Sequence, residues 1–349
     1  MGDIAKGVLG GAWTLLVGWI LPSALNVAVF VFAVAPSLRT VPPVRQLWPS
    51  TQSGTGLLLL AASLLLGLVL SALQTWLYRL LEGYLLWPDL LYARACRRRT
   101  RAKHTLRDRL TLLRLQRRED EGQLAEGETA QLAALRADPR IRRAASRDHR
   151  ASAIRRSLLR ERLARYPVAD GQIGPTRLAN AIRRFEEYGY DRYRLDTQTM
   201  WHELTATAPE QARRKTELAR ANVDFFIALI YGHAAVAGTA LLTLGSAEAD
   251  PSVLLITAAV LGCLTPLWYR SAVAATDEWA AAVRALVNTG RKPLAESLGL
   301  VLPRDVERER EMWSLVTKMS RLPYHERAAA LDAFRADPDQ GAPCRCLSL

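Results

Sequence analysis

Residues 56–77 read GLLLLAASLLLGLVLSALQTWL, a run of 22 residues without a charged side chain. An α-helix rises about 1.5 Å per residue, so about 20 apolar residues cross a bilayer core that is about 30 Å thick. Trp76, Tyr78 and Tyr84 lie at the end of this run beside Arg79, which is the order expected at a membrane–water interface. The stretch predicts a transmembrane helix.

Three other apolar blocks surround it in the sequence. Residues 12–35 form an uncharged block containing Pro22 and Asn26, and its length favours a retained transmembrane helix over a signal peptide. Residues 223–245 and 252–268 form two more blocks, and the short segment between them allows only a tight hairpin. The sequence therefore predicts an all-α integral membrane protein with about four transmembrane helices in two hairpins, plus a helical cytoplasmic region.

The charge is distributed as unevenly as the apolar residues. The 349-residue chain carries a formal net charge of +13 and is 50% apolar, an average that a soluble domain can also reach. A basic chain can bind nucleic acid, anionic lipid or an acidic partner. Because the cations border the apolar blocks, the positive-inside rule explains them, and no nucleic-acid site is predicted.

Cations near the helix ends predict the orientation. Eight lie among residues 94–109, four among residues 213–220 and four among residues 270–292. The first opposite loop carries only Arg39 and Arg45, and the second carries no cation. Both termini and the middle of the chain are therefore predicted to lie on the cytoplasmic side of the cell membrane.

This orientation divides the chain into four segments. They are a first transmembrane hairpin, a basic helical cytoplasmic region, a second transmembrane hairpin, and a cytoplasmic helical region with a disordered tail, at residues 1–89, 90–222, 223–270 and 271–349. Helix-forming Ala, Leu, Arg and Glu dominate the second segment, and the pattern continues from Pro209 into the third apolar block as one helix. Pro42 and Pro43 predict a non-helical first outer loop, and Pro293 predicts a separate short helix.

Polar side chains within or at the edge of the predicted transmembrane helices are the first functional candidates. They are His233, Asn26, Gln74 and Asp224. Because ionisable groups inside a membrane are costly, such residues often line a pore or relay a proton. The alternative is a neutral histidine that forms a hydrogen bond with a neighbouring helix.

A polar and aromatic patch in the cytoplasmic region is the second candidate. Its members are Arg177, Asn180, Arg183, Arg184, Glu187, Tyr188, Tyr190, Arg192 and Tyr193. Arginine side chains bind phosphate and carboxylate in a two-pronged geometry, so the patch is a candidate docking surface or small-anion site. The alternative is a helix end held by Arg–Glu pairs and tyrosine packing.

A basic run beside the second apolar block predicts contact with membrane lipids. It comprises Arg97, Arg98, Arg99 and Arg101. Each cation near an anionic lipid surface contributes about 1 kcal/mol. Lipid attraction and topology together account for this run.

Two segments carry a family resemblance. Residues 177–196, RLANAIRRFEEYGYDRYRLD, resemble a group of uncharacterised actinobacterial multi-pass membrane proteins with a similar Arg-Leu-Gly/Ala-Asn, Glu-x-Tyr and Arg-Tyr pattern. The segment with Leu298-Gly299-Leu300, Pro303, Glu309-Arg310-Glu311 and Trp313 is also similar to theirs. The resemblance implies bacterial origin and multi-pass topology, and it implies no activity.

Standard catalytic motifs are absent from the sequence. It has no Walker A loop, no G-x-G-x-x-G, no H-E-x-x-H and no G-x-S-x-G, and its five histidines show no metal-ligand spacing. No cofactor and no metal are predicted, and an enzyme is disfavoured. Three hypotheses follow: a scaffold or signalling component with a cytoplasmic protein partner, an oligomeric channel or pore-forming effector with a defence role as one version, and a lipid-modifying enzyme. The second hypothesis, the channel, predicts that the chain forms a homo-oligomer.

Overall fold

The computed structural model describes residues 12–39, 42–47, 51–145, 152–322 and 326–335. The chain is 83% helical, and the described residues form no strand. Four helices are long and apolar enough to cross a membrane, namely Ala12–Leu38, Gln52–Ala72, Glu210–Thr243 and Pro251–Ser297. We call them the first to fourth apolar helices. The prediction of an all-α chain with four helices of membrane-spanning length and composition is confirmed.

The first apolar helix is irregular around its proline. It widens into π-helical turns at Leu16–Ile20 and Phe30–Val34. Pro22 has no N–H to donate to the carbonyl four residues earlier. The preceding Leu21 N–H donates to the Leu16 carbonyl, five residues back, so the hydrogen-bond pattern has already shifted where the proline enters.

The second apolar helix begins and ends earlier than its apolar run suggests. Thr51 caps its start by accepting a hydrogen bond from the Gly54 N–H at 3.1 Å. The helix ends at Ala72, and a separate helix, Gln74–Glu82, follows. That helix stops at Gly83, whose φ of +88° suits glycine, as is common at helix C-termini.

Contacts divide the chain into two compact units. The first unit comprises Met1–Arg184 and Ala221–Asp277, and the second comprises Phe185–Arg220 and Glu278–Leu349. Each is described by itself below. The division into four segments derived from the sequence stays a prediction.

In the first unit, the first, third and fourth apolar helices share a core. Its buried members are Val34, Val236, Ala237, Ala240, Leu254 and Leu261. The second apolar helix instead exposes many leucines, with Leu57, Leu60 and Leu65 each more than 60% exposed. Exposed apolar surface of this extent on a folded chain is typical of contact with lipid or with another protein.

The first unit also contains a set of basic helices. They are Asp89–Asp120, Glu126–Ala137, Pro139–Ala145, Ser152–Ala164 and, in its first eight residues, Arg177–Glu186. The first of these helices ends at Asp120, and Gly122, which has a φ of +69°, lies in the turn that follows it. Leu112, Leu115, Leu132 and Ile141 form a small buried cluster between the first three of these helices.

The second unit has its own core. Its described elements include Tyr188–Tyr193, Trp201–Thr207, Val306–Arg321 and a 3₁₀ segment, Glu326–Phe334. Trp313 is completely buried, and its indole Nε1 donates to Glu309 Oε1 at 3.2 Å. The Glu309 carboxylate also accepts two hydrogen bonds of 2.5 Å from Arg291, whose guanidinium lies 4.2 Å from the Tyr193 ring centroid. This buried charge is therefore paired.

Two predictions about prolines are wrong. Pro293 does not begin a separate helix, because Pro251–Ser297 continues through it with Leu286 and Leu294 fully buried on either side. That packing holds the helix together despite one missing backbone donor. Pro42 begins a short helix, Pro42–Leu47, since a proline fits the first turn, where its N–H would have no helical partner. The tail at residues 337–349 lies outside the described residues.

The helix contact at Gly67 gives a stability prediction. A Cβ at Gly67 would lie 2.9 Å from the Ile20 Cα, so Gly67→Ala must push the first apolar helix away and lower the free energy of unfolding by about 1–3 kcal/mol. Gly56 lies in the same helix with nothing within 4 Å of such a Cβ. Gly56→Ala should raise stability by up to about 1 kcal/mol through helix propensity. Unfolding in mixed detergent micelles measures both, and equal effects would contradict the contact.

Candidate functional site

The structure brings Asn26 and His233 together in the first unit. His233 Nδ1 lies 2.8 Å from Asn26 Oδ1, and the two residues are 2% and 1% exposed. The Asn26 amide Nδ2 donates to the Pro22 carbonyl at 2.7 Å. Because the amide uses its nitrogen there, its oxygen is the acceptor, and His233 Nδ1 is the donor. The pair links the first and third apolar helices.

A glycine makes this approach possible. A Cβ at Gly232 would lie 2.2 Å from Asn26 Nδ2, so any larger residue would displace the asparagine. Small residues allow helix backbones to approach closely in membranes, where polar side chains then bond across the interface. Trp268 of the fourth apolar helix meets the His233 ring edge-on, with centroids 6.1 Å apart.

Asp224 has a partner that the sequence did not suggest. Tyr78 Oη donates to Asp224 Oδ1 at 2.7 Å, and both residues are buried. A second tyrosine, Tyr231, donates to the Leu77 carbonyl at 2.8 Å. These bonds join the helix Gln74–Glu82 to the third apolar helix. No spacing in the sequence indicates this pairing, since the partners lie 146 residues apart.

Gln74, the remaining candidate, lies at the start of a helix and belongs to neither of these two polar pairs. It is half-buried and begins the helix Gln74–Glu82, directly after the break at Leu73. Its position marks the end of the second apolar helix, and the Asn26–His233 and Tyr78–Asp224 pairs are formed by other residues.

The predicted polar and aromatic patch is divided between the two units, so its halves are described separately. In the first unit, Asn180 is 1% exposed and bonds through its side chain to the backbone of Gly174 and Thr176. Arg183 Nε donates to Tyr84 Oη at 2.7 Å. Arg184 is half-buried, whereas the Arg177 side chain is exposed.

In the second unit, two tyrosines of the patch share one acceptor. The hydroxyl groups of Tyr188 and Tyr193 donate to Asn288 Oδ1 at 3.1 and 3.0 Å. Glu187 is half-buried. By contrast, Arg192 is exposed, and Tyr190 is 46% exposed. The structure therefore separates tyrosines that hold the unit together from side chains that face outward.

The predicted lipid-facing run has one member with an internal role. Arg97, Arg98 and Arg101 are exposed, and Arg97 and Arg101 border a cavity of about 430 Å³. Arg99 is half-buried, and its Nε donates to the Pro175 carbonyl at 3.2 Å.

A larger cavity in the first unit collects arginines from four helices. Its volume is about 520 Å³, six of its thirteen lining residues are arginines, and none is acidic. The arginines are Arg99, Arg109, Arg162, Arg165, Arg177 and Arg270. Sequence reasoning singled out only Arg99 and Arg177 as binding candidates. The other four come from three separate segments of the chain, with Arg162 and Arg165 three residues apart, so no local motif signals their meeting.

Arg165 of this cavity forms ion pairs with two carboxylates. Its Nε lies 2.9 Å and 3.1 Å from the two Asp277 carboxylate oxygens, and its Nη2 lies 2.8 Å from Glu161 Oε1. The hydrogen bond to Asp277 raises the pKa of the Arg165 guanidinium above its usual value, so this group stays charged. Among the described residues, no cluster of three His, Cys, Asp or Glu side chains is placed to hold a metal ion.

The Asn26–His233 contact gives a second prediction. Removing either side chain leaves the other buried without its partner, so Asn26→Ala and His233→Ala should each destabilise the protein. The double variant should show a coupling free energy of about 0.5–1.5 kcal/mol in an unfolding titration. Thr239 is the control, since its hydroxyl donates to the Ala235 carbonyl of its own helix. A Thr239→Val and Asn26→Ala pair should be additive, and additivity of the Asn26 and His233 variants would contradict the bond.

Comparison with known proteins assigns no family to the chain. No family model matches it, and neither the curated proteins nor the solved structures contain a match. The resemblance at residues 177–196 stays a prediction. Proposals about function therefore rest on the residues and contacts of this chain alone.

Proposed function

We propose that the chain is a multi-pass protein of a bacterial cell membrane that acts as a scaffold or signalling component through its cytoplasmic helical region. The distribution of charge supports the orientation. Cations crowd the segments after the second, before the third and after the fourth apolar block, whereas residues 246–251 carry none. Both termini then face the cytoplasm.

The hydrogen bond between Asn26 and His233 is the observation that favours a scaffold over a channel. A pore-lining histidine or asparagine must face water or a neighbouring subunit. His233 and Asn26 are instead 2% and 1% exposed and bond to each other within one chain. Such bonds stabilise a helix bundle in lipid, so these residues support a structural role. The channel hypothesis loses its two principal candidate lining residues.

The exposed residues of the second unit support a docking role. Tyr190 and Arg192 face outward, and the Arg194 guanidinium lies 4.9 Å from the Tyr190 ring centroid. Tyrosine and arginine are the residue types most enriched among residues that dominate binding energy at protein interfaces. Tyr188 and Tyr193 are less suitable, because their hydroxyl groups already bond to Asn288.

Cysteine labelling tests the orientation. In a variant without the four native cysteines, Glu248→Cys should react with a membrane-impermeant maleimide in intact cells, because Glu248 lies in the exposed loop before the fourth apolar helix. Gln131→Cys, on the exposed face of Glu126–Ala137, should react only after the membrane is broken. The reverse pattern would overturn the proposed orientation.

Ion flux and partner capture test the function itself. Purified protein in liposomes should give no ion flux above protein-free liposomes. In cells, the wild type and His233→Ala should both capture a cytoplasmic partner. The double variant Tyr190→Ala with Arg192→Ala should capture at least about tenfold less of that partner. The matched control is Tyr188→Phe, which removes only a hydroxyl that bonds within the unit. Flux that His233→Ala abolishes would instead support the channel.

A further inference from the structure

The larger cavity of the first unit holds more positive charge than its surroundings neutralise. An arginine side chain stays protonated under all physiological conditions. Within the described part of the chain, Arg162, Arg177 and Arg270 form no ion pair through their side chains, while Arg165 is neutralised by Asp277 and Glu161. At least three unpaired cations thus border one space with no acidic wall. Like charges held together this way repel one another, and an anion between them removes that cost.

The hydrogen-bond donors of the wall suit an anion with several oxygens. Guanidinium groups bind phosphate through two parallel N–H donors, and such bonds are about twice as strong as neutral ones. Tyr269 Oη accepts from the Arg177 and Leu178 backbone N–H groups at 3.2 and 3.3 Å. Since a hydroxyl group has one hydrogen of its own, this tyrosine retains a donor at the edge of the cavity.

Two other features define what the site accommodates. The volume of about 520 Å³ lies within the range of roughly 300–1,000 Å³ that is usual for small-molecule sites, so it exceeds the needs of a bare phosphate ion. Tyr269 and Arg270 directly follow the apolar residues 252–268 of the fourth apolar helix. The cavity therefore lies where that helix leaves its apolar stretch.

We propose that this cavity binds a phosphate-bearing ligand, with Arg162, Arg177 and Arg270 contacting the phosphate oxygens. A soluble organic phosphate and the headgroup of an anionic phospholipid both present this chemistry. The inference adds a ligand class to the proposed function and rests on it only for placing the site on the cytoplasmic side.

The test uses the full chain, depleted of lipid in an uncharged detergent. The cavity variant is Arg162→Gln with Arg270→Gln. Its matched control, Arg160→Gln with Arg284→Gln, removes the same charge from exposed positions of the same two helices outside the cavity. Pyrophosphate is the soluble probe, followed by the shift in melting temperature. The lipid probe is phosphatidylglycerol, with phosphatidylcholine as its control. Native mass spectrometry measures how many molecules of each lipid the protein retains.

The wild type and the control should bind one of the probes saturably, within about twofold of each other. The cavity variant should bind it at least about tenfold more weakly, because charge-assisted bonds are lost. A saturable pyrophosphate shift identifies a soluble ligand, and selective phosphatidylglycerol retention identifies a lipid. If neither probe binds, or if both double variants lose binding equally, the inference is overturned. Arg162→Gln and Arg270→Gln singly repeat the test if the double variant does not fold.

This experiment is independent of the test of the proposed function. Phosphate binding is measured on purified protein without any flux or partner reading. A chain that conducts ions and still loses phosphate binding in the cavity variant would overturn the scaffold proposal and leave this inference intact. A chain with a confirmed cytoplasmic partner and no phosphate binding would support the scaffold proposal and overturn this inference.

Discussion

A polar group inside a helix bundle in lipid must find its hydrogen-bond partner within the protein, because hydrocarbon offers none. Two buried pairs of the first unit meet this requirement. His233 bonds to Asn26, and Asp224 to Tyr78, so these two side chains of the third apolar helix each hold a different neighbouring segment. The close approach depends on Gly232, where a side chain would occupy the space of the asparagine amide. Polar pairing and small residues together specify which helices touch.

The arginines of this chain have two separate properties, their number beside the apolar blocks and their arrangement in the fold. Their abundance between the apolar blocks biases the orientation of a membrane protein, and this effect needs no tertiary structure. Folding then brings arginines from separate helices to one cavity without an acidic wall. These arginines create a region of positive charge where the fourth apolar helix leaves its apolar stretch, at Tyr269 and Arg270. Anion binding would depend on where the arginines meet in the fold, whereas orientation in a membrane would depend only on how many arginines lie beside each apolar block. The same arginines can therefore have both roles.

The second unit shows a similar constraint on Glu309, a buried charge outside the apolar stretches of the chain. Glu309 is 4% exposed, and burying a carboxylate is costly unless it is paired and hydrogen-bonded. Arg291 and the Trp313 indole supply those bonds, and Tyr193 stacks under the guanidinium. Residues of the predicted docking patch therefore belong partly to this internal network. Among the members of that patch in the second unit, Tyr190 and Arg192 have exposed side chains.

The sequence alone determined the helical class, the four apolar helices and the bias of charge, because each follows from local composition and from the length of a run. It also marked Asn26, His233 and Asp224 as unusual, since a polar residue in an apolar block is visible without a structure. Only the tertiary structure decided that Asn26 and His233 bond to each other and that Tyr78 donates a hydrogen bond to Asp224. It also decided that Pro293 lies within a continuous helix and that six arginines from separate segments of the chain share a cavity. These outcomes depend on packing between residues far apart in the chain, which no local pattern encodes.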